Sequence, residues 1–223
     1  FEFNLYEGAL PYGGLEYLAH LGFVGIIVDG LATPLRGKAI HDVIYEKAEE
    51  CCGLTDHVEA IRQLGERFSW IDTERVGIWG ASGGGYATAR ALLQFGDFYK
   101  VGVSMCGNHD QAIYHAHWGE RWMGPYSEEK YYNQANHHFA KNLKGKLFLI
   151  HGDMDDNVHP AATIKLIAAL IAENKDFDSL IFPNSAHTVA RFPYVIRKKW
   201  DYFVRHLLGQ QPPEGFDLTP PKE

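Results

Sequence analysis

Short apolar, β-rich runs alternate with longer stretches of helical periodicity, and this rhythm limits the fold more than any other feature of the chain. Residues 23–29 (FVGIIVD), 75–79, 101–106, 146–151 and 179–182 read as strands, and residues 1–6 read as a sixth. Between them, residues 55–68 place Val58, Ile61, Leu64 and Phe68 on one helical face, with Thr55 as the N-cap. Residues 85–95 read as a helix. So do residues 160–174, with Ile164, Ile167, Ala168 and Ile171 on one face and Pro160 near the start. Residues 193–208 form the closing helix. The run at 23–29 is β-rich and apolar, and reads as a buried strand. Strand–helix alternation at this spacing implies a mostly parallel sheet with helices on both faces, an α/β architecture.

The chain has 223 residues, 46% of them hydrophobic, enough to bury one large core without disulfide staples. Residues 1–208 read as a single domain and residues 209–223 (GQQPPEGFDLTPPKE) as a flexible tail. Residues 107–144 break the rhythm. They are rich in Tyr, His, Trp and Asn and insert between two strands, either as a binding wall or as lid-like helical packing. A net charge of −7 without a Lys/Arg stripe disfavours nucleic acid as a partner. The basic cluster Arg197-Lys198-Lys199 reads as a solvated helix face. No apolar run approaches the roughly 20 residues of a membrane span. Cys51, Cys52 and Cys106 make no disulfide framework, and Cys106, ending an apolar run, reads as a small buried hydrophobe. No targeting segment and no initiator Met open the chain, so it reads as a piece of a longer polypeptide. The compartment stays open between cytoplasm and bacterial periplasm, and self-association is also left open.

The chemistry concentrates at Gly80-Ala81-Ser82-Gly83-Gly84-Gly85, between a strand and a helix. That is the setting of a G-x-S-x-G nucleophile elbow, in which the serine sits on a tight, strained turn. Gly80 and Gly84 are expected to remove side chains that would collide across the turn. The Gly83 amide, at the helix N-terminus, is expected to face a developing oxyanion. No Lys follows in the pattern of a phosphate loop, so a nucleotide site is disfavoured.

A serine hydroxyl needs a base. His187 lies in the loop after the last strand, and Asp153, Asp155 and Asp156 lie in the loop after the strand ending at His151. The order Ser, Asp, His is that of an α/β-hydrolase, and all three loops follow the carboxyl ends of parallel strands, where open α/β sheets place their ligands. Spacing favours Asp155 over Asp153, since the chain must turn before a carboxylate reaches the histidine. The pattern alone leaves the three open. His20, His41 and His57 read as surface or capping residues. His115 with His117, and His137 with His138, lack a recognisable ligand pattern, so no metal and no cofactor are expected.

From about Leu18 to Leu208 the chain resembles the catalytic domain of the prolyl oligopeptidase family, its dipeptidyl peptidase IV-like branch most. The residues that carry this are GIWGASGGG at 77–85, FYKVGV at 98–103, ERWMG at 120–124, HGDMDDNVH at 151–159 and the His187 loop. The resemblance implies that Asp155, first of the Asp-Asp pair, is the catalytic acid. It implies that Asn157 contacts a substrate carbonyl and that Tyr114, Trp118 and Val158 line a pocket for proline. Flat aromatic walls suit a pyrrolidine ring, although Tyr114 and Trp118 also fit plain core packing of the insertion. Tyr6, in Tyr6-Glu7-Gly8-Ala9, is the nearest match to the family's second oxyanion donor. Gly83 stands where this branch often has a Tyr, and Gly30-Leu31-Ala32-Thr33 departs from the family's Asp-Gly-Arg-Gly. The family also carries an N-terminal β-propeller, so the chain is expected to be the C-terminal catalytic part of a longer one.

The expected function is hydrolysis of a peptide substrate after proline or a small residue, through a Ser82–His187–Asp155 acyl-enzyme mechanism. A carboxylesterase or acyl transferase on the same triad is the alternative. A non-catalytic scaffold fits the intact Ser, Asp and His set least.

Overall fold

A computed structural model of the chain describes residues 15–33, 35–47 and 53–215. Four strands lie side by side in chain order, all parallel: β1 (Val76–Ala81), β2 (Tyr99–Met105), β3 (Lys146–Gly152) and β4 (Asp178–Phe182). Each falls where an apolar run was expected. Side chains along β2 and β3 alternate between two cores. Leu147 and Leu149 face a layer built from α3 (Leu54–Arg67), α4 (Gly83–Gln94) and α7 (Ala161–Ala172). Val101, Val103, Met105, Phe148 and Ile150 face α8 (Pro193–His206) and Leu18 of the short helix α1 (Leu15–His20). Helices therefore cover both faces of a parallel sheet, as the alternation implied. Among the described residues, no helix is long and apolar enough to cross a membrane.

The segment at 107–144 folds as two helices, α5 (Ala116–Met123) and α6 (Glu128–Gln134), between 3-10 turns at Gln111–Ile113 and Asn136–Asn142. Ala32, Ile44, Trp122, Met123 and Tyr131 make a third, smaller core between this insertion and the segment around α2 (Lys38–His41). Lys130 Nζ donates to Glu46 Oε1 across the same seam at 2.6 Å. Residues 209–215 carry no helix or strand; the rest of the expected tail, the expected strand at 1–6, Cys51 and Cys52 lie outside the described residues.

Five expectations are corrected. Residues 23–29 are not a strand: among the described residues they pair with none of the four strands, and Phe23, Val24 and Ile26 line a cleft together with Val76, Gly77 and Trp79 of β1. One of their carbonyls finds another donor, Val28 O accepting from His57 Nε2 at 3.2 Å. His57 is thus a half-buried tie between two segments rather than a surface or capping residue, and burial lowers its pKa. Helix α3 is capped by Gly53 in the left-handed region, not by Thr55, which lies inside the first turn. Helix α7 is apolar but for Thr163 and Lys165, so its periodicity offers two stripes. Ala162, Thr163, Leu166 and Leu170 are buried, whereas Ile164 and Ile171 are 48% and 64% exposed. Thr163 sets this rotation, because its hydroxyl meets the buried ring of His151 at 2.7 Å. Lys199 does not belong to a solvated face: it is buried, with Nζ 4.0 Å from the centre of the Trp200 ring and 5.3 Å from that of Trp79.

Candidate active site

The tips of β1, β3 and β4 converge on one spot. Ser82 joins β1 to α4 with φ 58° and ψ −122°, a conformation that costs a non-glycine residue about 1–3 kcal/mol. Two backbone bonds hold it there: Ser82 N donates to Met105 O at 2.9 Å and Tyr86 N donates to Ser82 O at 3.0 Å. A Cβ on Gly80 would stand 2.4 Å from the Gly84 carbonyl oxygen, so glycine is required at that position. The matching expectation for Gly84 fails, because a Cβ there meets nothing within 4 Å. Gly85 is the second crowded position, its Cβ falling 2.4 Å from Met105 O. Gly83 is the first residue of α4, and an amide at that position has no carbonyl partner within its helix.

His187 bridges the other two loops. Its Nε2 lies 3.0 Å from Ser82 Oγ and its Nδ1 lies 2.8 Å from Asp155 Oδ2. The carboxylate accepts the Nδ1 proton, which leaves the Nε2 lone pair facing the serine hydroxyl. Asp155 is 4% exposed, and its other oxygen accepts the amides of Asn157 at 3.0 Å and Val158 at 2.9 Å. Those bonds orient the carboxylate before any substrate arrives. The three aspartates thereby separate. Asp153 laces the loops together: Ser185 N donates to its Oδ1, its own amide donates to Phe182 O, and Met154 N donates to Ser185 O. A Cβ on Gly152 would stand 2.2 Å from Ser185 O, so the two loops touch backbone to backbone. Asp156 is exposed.

The residues expected to wall a pocket divide. Tyr114 donates from its hydroxyl to Asn157 Oδ1 at 2.7 Å and stands edge-on to Trp118, with ring centres 6.1 Å apart. Trp118 in turn meets Trp122 at 5.9 Å, so an aromatic file runs from beside Asn157 into the third core. Burial first, then the charge of Asp155, raises the Tyr114 pKa and keeps the phenol a donor. Val158 is buried, its amide on Asp155 and its carbonyl on His151. Tyr6 lies outside the described residues.

Two supporting groups, and the placing of one thiol beside the relay, escaped the sequence reading. His151 closes β3 fully buried, its Nε2 proton donated to Val158 O at 2.9 Å and lying 3.2 Å from Asp155 Oδ2. Thr163 donates to its Nδ1, and burial lowers its pKa, so the ring beneath the carboxylate is neutral. A polar residue ending the apolar run 146–151 is the signal that points to it. Behind the elbow, Ser104 Oγ donates to Gly85 O at 2.7 Å, and His109 Nε2 lies 3.4 Å from Ser104 Oγ. Asn136 Nδ2 meets both His109 Nδ1 at 3.0 Å and Tyr86 O at 3.1 Å. Burial pushes His109 down to about 3. Cys106, 1% exposed, follows β2 with φ 42° and directs its Sγ at the His187 carbonyl, 3.6 Å away.

Residues 13–210 match the model of the prolyl oligopeptidase family. The chain is 31% identical to dipeptidyl peptidase 8 of Homo sapiens over 92% of its own length and 23% of that protein's. It is also 31% identical to venom dipeptidyl peptidase 4 of Vespula vulgaris, covering 83% of this chain and 26% of the relative. Among solved structures, dipeptidyl peptidase 4 of Porphyromonas gingivalis superposes with a TM-score of 0.68 at 30% identity, over 73% of this chain and 23% of that one. The chain thus spans about a quarter of the length of the curated relatives it matches.

Proposed function

The chain belongs to the prolyl oligopeptidase family, and from that premise we propose that it is the catalytic portion of a serine peptidase that cleaves after proline or a small residue. The observation that carries the reading is the unbroken relay from Ser82 Oγ through both nitrogens of His187 to Asp155, at 3.0 and 2.8 Å. His187 Nε2 takes the Ser82 proton as Oγ attacks the scissile carbonyl, and it returns that proton to the leaving amine. Asp155 stabilises the imidazolium formed in between. The free amide of Gly83 receives the oxyanion at the N-terminus of α4, with Tyr6 as the second donor. Water then attacks the acyl-enzyme on Ser82, and His187 acts as base again.

Tyr114 and Trp118 supply flat apolar faces for a pyrrolidine ring, with Val158 beside them. Asn157, its side-chain oxygen held by the Tyr114 hydroxyl, keeps its NH₂ group for a substrate carbonyl. Residues 1–208 make up the catalytic domain, and a β-propeller N-terminal to it completes the enzyme.

Two measurements test this. A fluorophosphonate probe should label the protein, and Ser82→Ala should abolish the label; label persisting in that variant would remove Ser82 as nucleophile. Turnover of Xaa-Pro anilides should exceed turnover of short p-nitrophenyl esters. Ester turnover alone, in the full-length protein, would make it an esterase on the same triad.

A further inference from the structure

Cys106 has no part in the relay, yet it lies against it. Among the described residues, Cys106, Asp155 and His187 each bring one donor atom to within 4.8 Å of the other two: a sulfur, a carboxylate oxygen and a ring nitrogen. We propose that these three residues form a binding site for a thiophilic divalent cation, such as Zn²⁺ or Cd²⁺, and that occupying it switches the enzyme off. Soft sulfur with imidazole and carboxylate is a donor set that selects such ions over Mg²⁺ or Ca²⁺.

The geometry is close to what a tetrahedral ion needs. With Zn–S near 2.3 Å and Zn–N and Zn–O near 2.0 Å, ligand atoms stand about 3.3–3.5 Å apart. The present spread of up to 4.8 Å closes to that with movements of about 1 Å. The His187–Asp155 contact at 2.8 Å opens by a few tenths. Asp155 and Cys106 are buried on elements that converge, and the partly exposed ring of His187 is the side from which an ion enters.

Binding displaces one proton. The thiol proton leaves to water and the sulfur binds as thiolate. The imidazole stays neutral and binds through Nδ1, whose proton moves to Nε2. That breaks the hydrogen bond to Asp155 that orients the ring and leaves a proton rather than a lone pair facing Ser82 Oγ, so the base is disabled. A His, Asp and Ser relay without the thiol holds such an ion far more weakly.

The functional consequence rests on the triad reading, but the site itself does not, and the test separates them. Cd²⁺ is titrated into the full chain and into Cys106→Ser and Cys106→Ala, following the thiolate-to-metal charge-transfer absorbance. Zn²⁺ inhibition of fluorophosphonate labelling is measured on the same three proteins. The wild type should gain one equivalent more of the absorbance band than either variant, any contribution from Cys51 and Cys52 being common to all three proteins. The variants should label normally without metal and need at least about tenfold more Zn²⁺ for the same inhibition, no less than the loss expected from removing an outer-shell partner. A band missing in the wild type, or equal in the variants, overturns the site. A Cys106-dependent band with labelling untouched keeps the site and instead refutes His187 as the base.

Discussion

At Asp153 and Asp155, one loop assigns two carboxylates two different tasks. Asp155 is buried, oriented by two amides and bonded to His187, whereas Asp153 holds the His187 loop by its backbone. Asp155→Asn keeps the shape but loses the acceptor that fixes the His187 tautomer, so kcat should fall about 10³–10⁴-fold. Asp153→Asn retains a side-chain oxygen for the Ser185 amide and should cost less than about tenfold, the scale of one neutral hydrogen bond. Steady-state kinetics on the two variants check this, and equal losses would contradict the division. Spacing already leaned towards Asp155, and the triad positions were legible because each follows a strand end. His151, Asp153 and Cys106 were not legible as partners. What they do depends on which backbone groups face them across two loops, and one-dimensional spacing carries no such information. Lys199 was misread for a related reason: a lysine stem covers apolar surface as readily as it reaches water, and only the positions of Trp79 and Trp200 decide which.

At the scale of elements, runs of β-branched and aliphatic residues located all four strands, the central β2 and β3 because buried parallel strands are apolar on both faces, and β4 although it is half exposed. The same signal was misleading at residues 23–29, where composition invites a ladder but none forms among the described residues. It also selected the wrong stripe of α7, whose rotation is set by Thr163 and His151 rather than by hydrophobicity. The elbow shows how closely two elements meet. Helix α4 leaves β1 so tightly that a methyl group at Gly85 would strike the carbonyl that ends β2, whereas one at Gly84 points into open space. Gly84→Ala should therefore change stability by less than about 0.5 kcal/mol, the usual range for a surface substitution. Gly85→Ala should cost about 1–3 kcal/mol, the scale of overpacking a filled core. Urea midpoints with unchanged slopes would report it, and a destabilised Gly84→Ala beside a native-like Gly85→Ala would reverse the reading.

For the whole molecule, the insertion at 107–144 is fastened to the sheet through one buried neutral histidine, His109, and this makes the fold sensitive to acid. His109 sits fully buried between Ser104 of β2 and Asn136 of the insertion, accepting the Asn136 amide at 3.0 Å. A proton on Nδ1 would put a charge where no water reaches and turn that acceptor into a second donor facing Asn136. Burial holds His109 down to about 3 and His137, in the same insertion, down to about 4; it also lowers His151 beneath the relay. In the unfolded chain a histidine titrates near 6.5. Below that value the unfolded state binds more protons than the folded one, so stability falls as pH falls. The contribution of His109 is complete above about 6.5 and is lost progressively down to about 3, at about 1.4 kcal/mol per pH unit. By pH 5 that amounts to about 2 kcal/mol from this residue, before most carboxylates titrate. Chemical denaturation at pH 7, 6 and 5 should show the fall, and His109→Gln, less stable at pH 7, should show a shallower slope by about one proton. A variant that keeps the full wild-type slope would place the acid sensitivity elsewhere. Because Ser104 passes the contact on to Gly85 O in the first turn of α4, acid that loosens this joint should also unseat the elbow, so labelling at Ser82 should fall in step with the folded fraction.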